Sequence, residues 1–191
     1  MRLAEEMAEG KEFTADLICQ ARLQLSGAEP TNGKLVPGGG NDEVLTPDWL
    51  AAAIVDHFRP AGRTCEPCYG GGAFAKCMPG CDSFDLGKGE DFLKSKNQHW
   101  DWTVTNPPYS RFRDFLNKAM AVSHNVVFLS LVNAWFIRSR QKDIQNAGFG
   151  LVEFYEVPVP PLLSLLSTRR RASSLAITSL RCCSGRDLMR G

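Results

Sequence analysis

Apolar residues recur at helical spacing in two stretches of the chain. Leu50, Ala51, Ile54, Val55 and Phe58 share one face of a helical repeat, as do Phe112, Phe115, Leu116 and Ala119. Thr46-Pro47 stands before the first of these: threonine can cap a helix, and proline fits the first helical position because its missing donor would be unpaired there. Pro60-Ala-Gly62 ends that helix. A polar-faced helix is predicted over 134–146, closed by Gly148. Short apolar runs bounded by turn residues predict strands at 63–66, 83–85, 102–105, 125–132 and 150–157. Strands that alternate with helices imply a parallel sheet with helices on both faces, a doubly wound α/β fold of Rossmann-like type. Ligands of such a sheet bind at the carboxyl ends of its strands.

The folded unit is expected to span 42–157. Before it, residues 1–41 form an extension in which Leu17, Ile18, Ala21 and Leu25 are helix-compatible, followed by a Gly/Pro/Asn linker from 30 to 41. After it, 158–191 changes character into a basic tail containing Arg169, Arg170 and Arg171.

Composition adds limits. With 191 residues, 43% of them hydrophobic and 23% charged, the chain suits a single globular core. The longest apolar run, 125–137, is broken by Ser130 and Asn133 and is too short for a membrane span. The acidic start, Met1-Arg-Leu-Ala-Glu-Glu6, does not resemble a secretory signal, so the cytoplasm is the expected compartment. Seven cysteines fit reduced thiols there rather than a disulfide framework. Cys65, Cys68, Cys77 and Cys81 could be drawn as a four-thiolate zinc site, but their spacing is uneven and no metal is expected. The net charge of +1 gives no overall attraction to a phosphate backbone, so any nucleic-acid contact must be local. Arg138, Arg140 and Lys142 offer one basic cluster, which a solvated helix face explains equally well.

Two motifs sit where such a sheet places its chemistry. Glu66-Pro-Cys-Tyr-Gly-Gly-Gly-Ala-Phe74 follows a strand and enters a helix, so its glycines can let backbone pass close to a bound nucleoside. Asp85 lies about 20 residues beyond Glu66, the separation at which an acid can accept ribose hydroxyls. Asn106-Pro-Pro-Tyr109 directly follows the strand at 102–105. Its paired prolines fix the backbone, and the Pro107 carbonyl with the Asn106 amide oxygen can accept both hydrogens of one primary amine. A base stacked on a ring such as Tyr109 gains about 1–3 kcal/mol, which offsets much of the cost of leaving a duplex.

Taken together, Thr46-Pro47, the glycine loop from Glu66 to Phe74, Asp85, Asp91-Phe92 and Asn106 to Tyr109 resemble the ordered motifs of N6-adenine DNA methyltransferases, in particular small phage or prophage members. The resemblance covers about residues 42–157 and implies a class I methyltransferase sheet that uses S-adenosylmethionine to methylate a flipped adenine in DNA. By this resemblance Glu66, Gly70 and Gly72 hold the methionine part of the cofactor, Asp85 its ribose, and Asp91 with Phe92 its adenine, while Pro47 closes over it. Asn106, Pro107, Pro108 and Tyr109 form the catalytic tetrad. Gly71 stands where relatives often carry an acid, which implies an altered cofactor affinity. None of His57, His99 or His124 is required, because the sulfonium already activates the methyl group and a strong base is not needed.

The same tetrad occurs in methyltransferases that act on RNA or on a protein glutamine, though the glutamine enzymes usually open their glycine loop with Asp-Leu-Gly rather than Glu-Pro. A degenerate, inactive fold is the non-enzymatic alternative. Relatives close the sheet with a Gly-Phe-Gln-Leu-like strand, whereas here Ala172-Ser-Ser-Leu-Ala176 stands in that region. Two readings stay open for this region: a shifted reading frame between Pro158 and Ala172, which would disrupt the C-terminal strands of the sheet, or a divergent basic tail that helps hold DNA. Recognition sequence and oligomeric state are not legible.

Overall fold

The computed structural model describes residues 45–96, 98–157 and 175–183. The extension before residue 45 and the arginines at 169–171 lie outside them. Among the described residues four α-helices and six strands follow in order: α1 (Asp48–Phe58), β1 (Thr64–Glu66), α2 (Ala73–Cys77), β2 (Asp82–Ser83), β3 (Trp100–Thr105), α3 (Phe112–Val122), β4 (Ser123–Leu131), α4 (Arg138–Asn146), β5 (Phe149–Val157) and β6 (Leu175–Cys182). All six strands join one sheet in the order β2-β1-β3-β4-β6-β5. β2, β1, β3 and β4 run parallel, while β6 is antiparallel to both β4 and β5.

Each face of the sheet carries its own core, because successive strand side chains point to opposite faces. Val126 and Phe128 of β4 pack with Phe112, Phe115 and Leu116 of α3 and with Trp135 and Ile144. Val127 and Leu129 pack with Leu50, Ala51 and Ile54 of α1 and with Phe74 and Met78. Helices therefore cover both faces, as the apolar spacing of 50–58 and 112–119 requires.

A frame shift is expected to cost the sheet its last strand, but residues 175–182 form β6 within it. Val126 faces Leu180, Phe128 faces Thr178 and Leu129 faces Ile177, so β6 lies inside the sheet and carries β5 at the edge. Residues 176–180 alternate sides and are buried, Ala176, Thr178 and Ser179 with small or hydroxyl side chains, and Ala176, Ile177 and Thr178 are fully covered. That alternation is itself a strand signal, muted by Ala, Thr and Ser at positions a Val or Ile would usually fill. Ile177→Ala is expected to lower unfolding free energy by about 3 kcal/mol, through lost burial and the cavity left between sheet and α1. Urea denaturation measures it; an unchanged midpoint would place the strand elsewhere.

Among the described residues no helix is long and apolar enough to cross a membrane.

Candidate functional site

β1 leads to β2 on one side, and β3 lies on the other, so the loops after β1 and β3 diverge at their carboxyl ends. Such a switch point leaves a crevice. Here it is a cleft of about 480 Å³ whose lining combines the glycine loop, the turn after β2 and the loop after β3. The volume falls within the range of small-molecule sites, roughly 300–1,000 Å³.

The glycine loop reaches it through positive-φ backbone. Gly70 (φ 49°) lines the cleft. Gly72 (φ 73°) begins α2 in the left-handed region that larger residues rarely adopt, and a Cβ there would stand 2.8 Å from the tip of the Tyr69 ring, which would have to shift. Tyr69 lines the cleft and stacks under the Lys88 ammonium at 4.7 Å from its ring centre.

Both aspartates that the sequence singles out line the cleft, and both organise the backbone as well. Asp85 accepts from the Gly87 amide at 2.9 Å and starts a 3-10 turn, Leu86–Lys88, rather than ending a strand. Asp91 accepts from the Leu93 amide at 3.0 Å, and this bond together with that to Lys94 holds its carboxyl below the usual carboxylate range despite some desolvation. Phe92 is buried and forms the cleft floor with Phe84, its ring 5.4 Å away.

Glu66 does not itself line the cleft. It is 1% exposed and lies beneath the cleft rather than on its wall. One carboxyl oxygen accepts from the Cys68 amide at 3.1 Å and from the Thr105 hydroxyl at 2.5 Å, tying the loop after β1 to the end of β3. Burial pushes its pKa up to about 8, against which these two hydrogen bonds work only in part. Cys68, on the cleft wall, is pushed up to about 12, first by burial and then by the neighbouring Glu66.

At the carboxyl end of β3, Asn106 and Pro108 line the cleft. Asn106 Nδ2 donates to Thr46 Oγ1 at 3.1 Å. Pro107 is buried behind them, and Tyr109 opens the 3-10 turn Tyr109–Arg111 with its hydroxyl buried. Neither Pro107 nor the Tyr109 ring lines the cleft, and Pro47, which precedes α1, does not either. Thr46 does not cap α1, whose first turn has no side-chain cap; its hydroxyl is engaged by Asn106 instead.

The cleft thus brings Gly70, Asp85, Asp91, Phe92, Asn106 and Pro108 together, and holds Glu66 one layer below. Sequence reasoning missed Thr46 as a cleft residue, Tyr69 and Cys68 within the glycine loop, and Arg111 at the rim. Thr46, Cys68 and Tyr69 lie within motifs already singled out, and Arg111 lies two residues beyond one.

Two other expectations can be placed. Cys65 and Cys68 pack on one face of the sheet and Cys77 and Cys81 on the other, and among the described residues no group of three or more His, Cys, Asp or Glu could hold a metal. Of the basic cluster on α4, Arg140 lies over the Phe112 ring at 5.0 Å and donates to the Ala134 carbonyl at 2.7 Å, a packing role. Arg138 and Lys142 are exposed.

No protein-family model matches the sequence, and no curated protein matches it. Solved structures do. A Listeria monocytogenes protein described as a class I S-adenosylmethionine-dependent methyltransferase aligns over 91% of this chain and 71% of its own, with 12% identity and a TM-score of 0.52. The 23S rRNA methyltransferase ErmE aligns over 73% of this chain and 70% of its own, with 13% identity and a TM-score of 0.51. A Thermoplasma acidophilum protein aligns over 71% and 90%, with 16% identity and a TM-score of 0.50. The chain has the Rossmann-like fold of the class I methyltransferases, with β6 as the antiparallel strand within its sheet.

Proposed function

We propose that this chain is an S-adenosylmethionine-dependent methyltransferase that acts on the N6 amino group of adenine in DNA. The observation that carries the reading is the meeting of Asn106, at the end of β3, with Asp85, Asp91 and Phe92 in one cleft. The residues present fit the cofactor: two carboxylates suit hydroxyl and amine donors, Phe84 and Phe92 give an apolar floor for a purine, and glycine backbone lets a chain of amino-acid size pass. When bound, S-adenosylmethionine supplies a methyl group already activated by its sulfonium.

What the chain itself contributes is orientation. The Asn106 amide oxygen and the Pro107 carbonyl accept the two hydrogens of the target amine, which draws its nitrogen toward tetrahedral geometry with the lone pair facing the cleft. With the cofactor bound, the nitrogen's new bond to the methyl carbon would replace that carbon's bond to sulfur, which would leave as a neutral thioether, and the nitrogen would give up one proton to solvent. Holding donor and acceptor in line can supply about 7–11 kcal/mol of the barrier, enough that no strong base is needed. Tyr109 is proposed to stack on the flipped base, a role that requires its ring to face the base from outside the cleft. Arg111, which lines the cleft beside its ion-pair partner Asp114, is the cleft's arginine and is proposed to meet a backbone phosphate there.

The test is incubation of purified protein and S-adenosylmethionine with unmethylated duplex DNA and, separately, with RNA, then digestion to nucleosides and mass detection of N6-methyladenine products. N6-methyldeoxyadenosine that depends on Asn106 is the expected result. Product in RNA alone would move the substrate to the class of the rRNA enzyme whose fold the chain shares, and neither product would refute the adenine reading.

A further inference from the structure

The turn between β4 and α4 shows two apolar side chains that the core does not take. Phe136 is 64% and Ile137 47% exposed, although Trp135 beside them is 3% exposed and fills the core. The turn is held by side chains. Trp135 Nε1 donates to Ser130 Oγ at 2.7 Å, Arg140 donates to the Ala134 carbonyl at 2.7 Å, and Gln141 donates to the Trp135 carbonyl at 3.0 Å. These bonds fix the backbone from which Phe136 and Ile137 project. With the half-buried Phe154, whose ring lies 5.5 Å from that of Phe136, they make one apolar patch, the kind of surface that marks an interaction site.

Sheet register fixes how far this patch lies from the cleft. Thr105 of β3 pairs with Phe128 of β4, Phe128 with Thr178 of β6, and Thr178 with Phe154 of β5, one row across the sheet. Asn106 follows the first member of that row, and Phe136 packs against the last. At about 4.8 Å per strand, the patch stands roughly 15 Å from the end of β3 along the carboxyl edge of the sheet. Charge points the same way. Among the described residues the acids that line the cleft, Asp85, Glu90 and Asp91, all belong to the segment between β2 and β3, whereas its arginine, Arg111, follows β3. Between Asp114 and Asp143 the sequence holds no acid, and the exposed Arg138 and Lys142 stand one turn apart on α4, directly after Ile137. A polyanion laid from the cleft toward β5 meets cations; one laid toward β2 meets carboxylates.

We propose that Phe136, Ile137 and the exposed cations of α4 are a DNA-docking surface apart from the cleft: the flanking duplex runs from the cleft over β4 toward β5, with the Phe136 ring against a base or sugar and Arg138 and Lys142 against phosphates. The inference rests on the proposed action on adenine in DNA. At about 3.4 Å per base pair, the contact falls about four base pairs from the flipped adenine. An aromatic ring among cations holds a nucleic-acid strand without reading its sequence, so the surface supplies affinity rather than recognition.

The test combines binding, by anisotropy of a labelled duplex of about 30 base pairs with S-adenosylhomocysteine present, and turnover on a duplex carrying one adenine that the wild type methylates. Phe136→Ala should weaken binding and raise KM for DNA about tenfold, with kcat and cofactor affinity within about threefold, and Phe136→Trp should recover both. Because the side chain is exposed, the alanine variant should melt within a few degrees of the wild type. Arg138→Gln with Lys142→Gln should lower the slope of log affinity against log salt by about 1–2, which a merely structural role would not do. Cutting the duplex to about two base pairs beyond the adenine on one side should abolish the difference between Phe136→Ala and wild type, and the same cut on the other side should leave it. A difference that survives both cuts, Phe136→Ala binding within twofold of wild type, or no duplex binding by the wild type overturns the proposal. So does a loss of self-association in sedimentation in place of the loss of DNA binding, which would make the patch a contact between copies of the chain. If the wild type binds duplex as stated but methylates none, the adenine reading fails and the docking surface stands. If it methylates adenine and Phe136→Ala matches it, the surface fails and the adenine reading stands.

Discussion

Asn106→Ala is expected to lower kcat for adenine methylation about 10²- to 10³-fold, the loss typical when one preorganised polar group facing a reacting centre is removed. The physical reason is orientation rather than proton transfer. With only the Pro107 carbonyl left, the amine keeps one hydrogen bond and its nitrogen can remain planar, conjugated with the ring, with no lone pair aimed into the cleft. Cofactor affinity should change by less than about threefold, because the purine floor and both carboxylates lie in the segment between β2 and β3 rather than in the loop after β3. Asn106→Asp retains an acceptor but cannot donate to Thr46, so its kcat should fall between the two. Steady-state kinetics paired with calorimetric cofactor titration separates these effects. A fall in cofactor affinity as large as the fall in kcat would mean that Asn106 holds the cofactor, and the tetrad would lose its assigned role.

The parts of this molecule that were legible beforehand are those in which local pattern and tertiary role coincide. Helix α1 buries Leu50, Ala51 and Ile54 because their spacing admits no other face. Asn106 sits at the mouth of the sheet because β3 stops where two prolines cannot continue it. Asp85 and Asp91 reach the cleft because each caps its own short turn, which fixes the carboxyl with respect to the backbone. Illegible were the features that only long-range packing decides. Strand β6 is stabilised on both sides by partners far off in sequence, so its Thr, Ser and Ala positions need no strong intrinsic preference. Thr46 looks like a helix cap to any local reading, and only the folding of β3 against α1's leading segment gives its hydroxyl a different partner. The burial of Glu66 beneath the cleft was also not legible, since its hydroxyl partner Thr105 stands 39 residues away.

That burial has a thermodynamic consequence that Glu66→Gln should expose. In the unfolded chain the carboxyl titrates near its ordinary 4.5, and in the fold burial raises it to about 8. Between these values the folded protein holds a proton that the unfolded chain does not. Stability must then fall as pH rises, by about 1.4 kcal/mol per pH unit, remaining flat below the lower value and again above the upper. Over the whole interval the loss is at most about 5 kcal/mol. Glutamine is nearly isosteric with the protonated acid and keeps a carbonyl oxygen for the Cys68 amide and the Thr105 hydroxyl, both of which bond the same Glu66 oxygen. At pH 5 the variant and wild type should therefore melt within a few degrees of each other, and at pH 8 the variant should be more stable by several degrees. Restricting the melts to pH 5–8.5 keeps them below the range in which the thiols of Cys65 and Cys68, also raised by burial, begin to matter. Any other group that titrates in this window is common to both proteins and cancels in their difference. Parallel melting curves across the window would mean that Glu66 is ionised in the fold, and that Thr105 and the Cys68 amide hold a charge rather than a neutral acid between the two loops of the cleft.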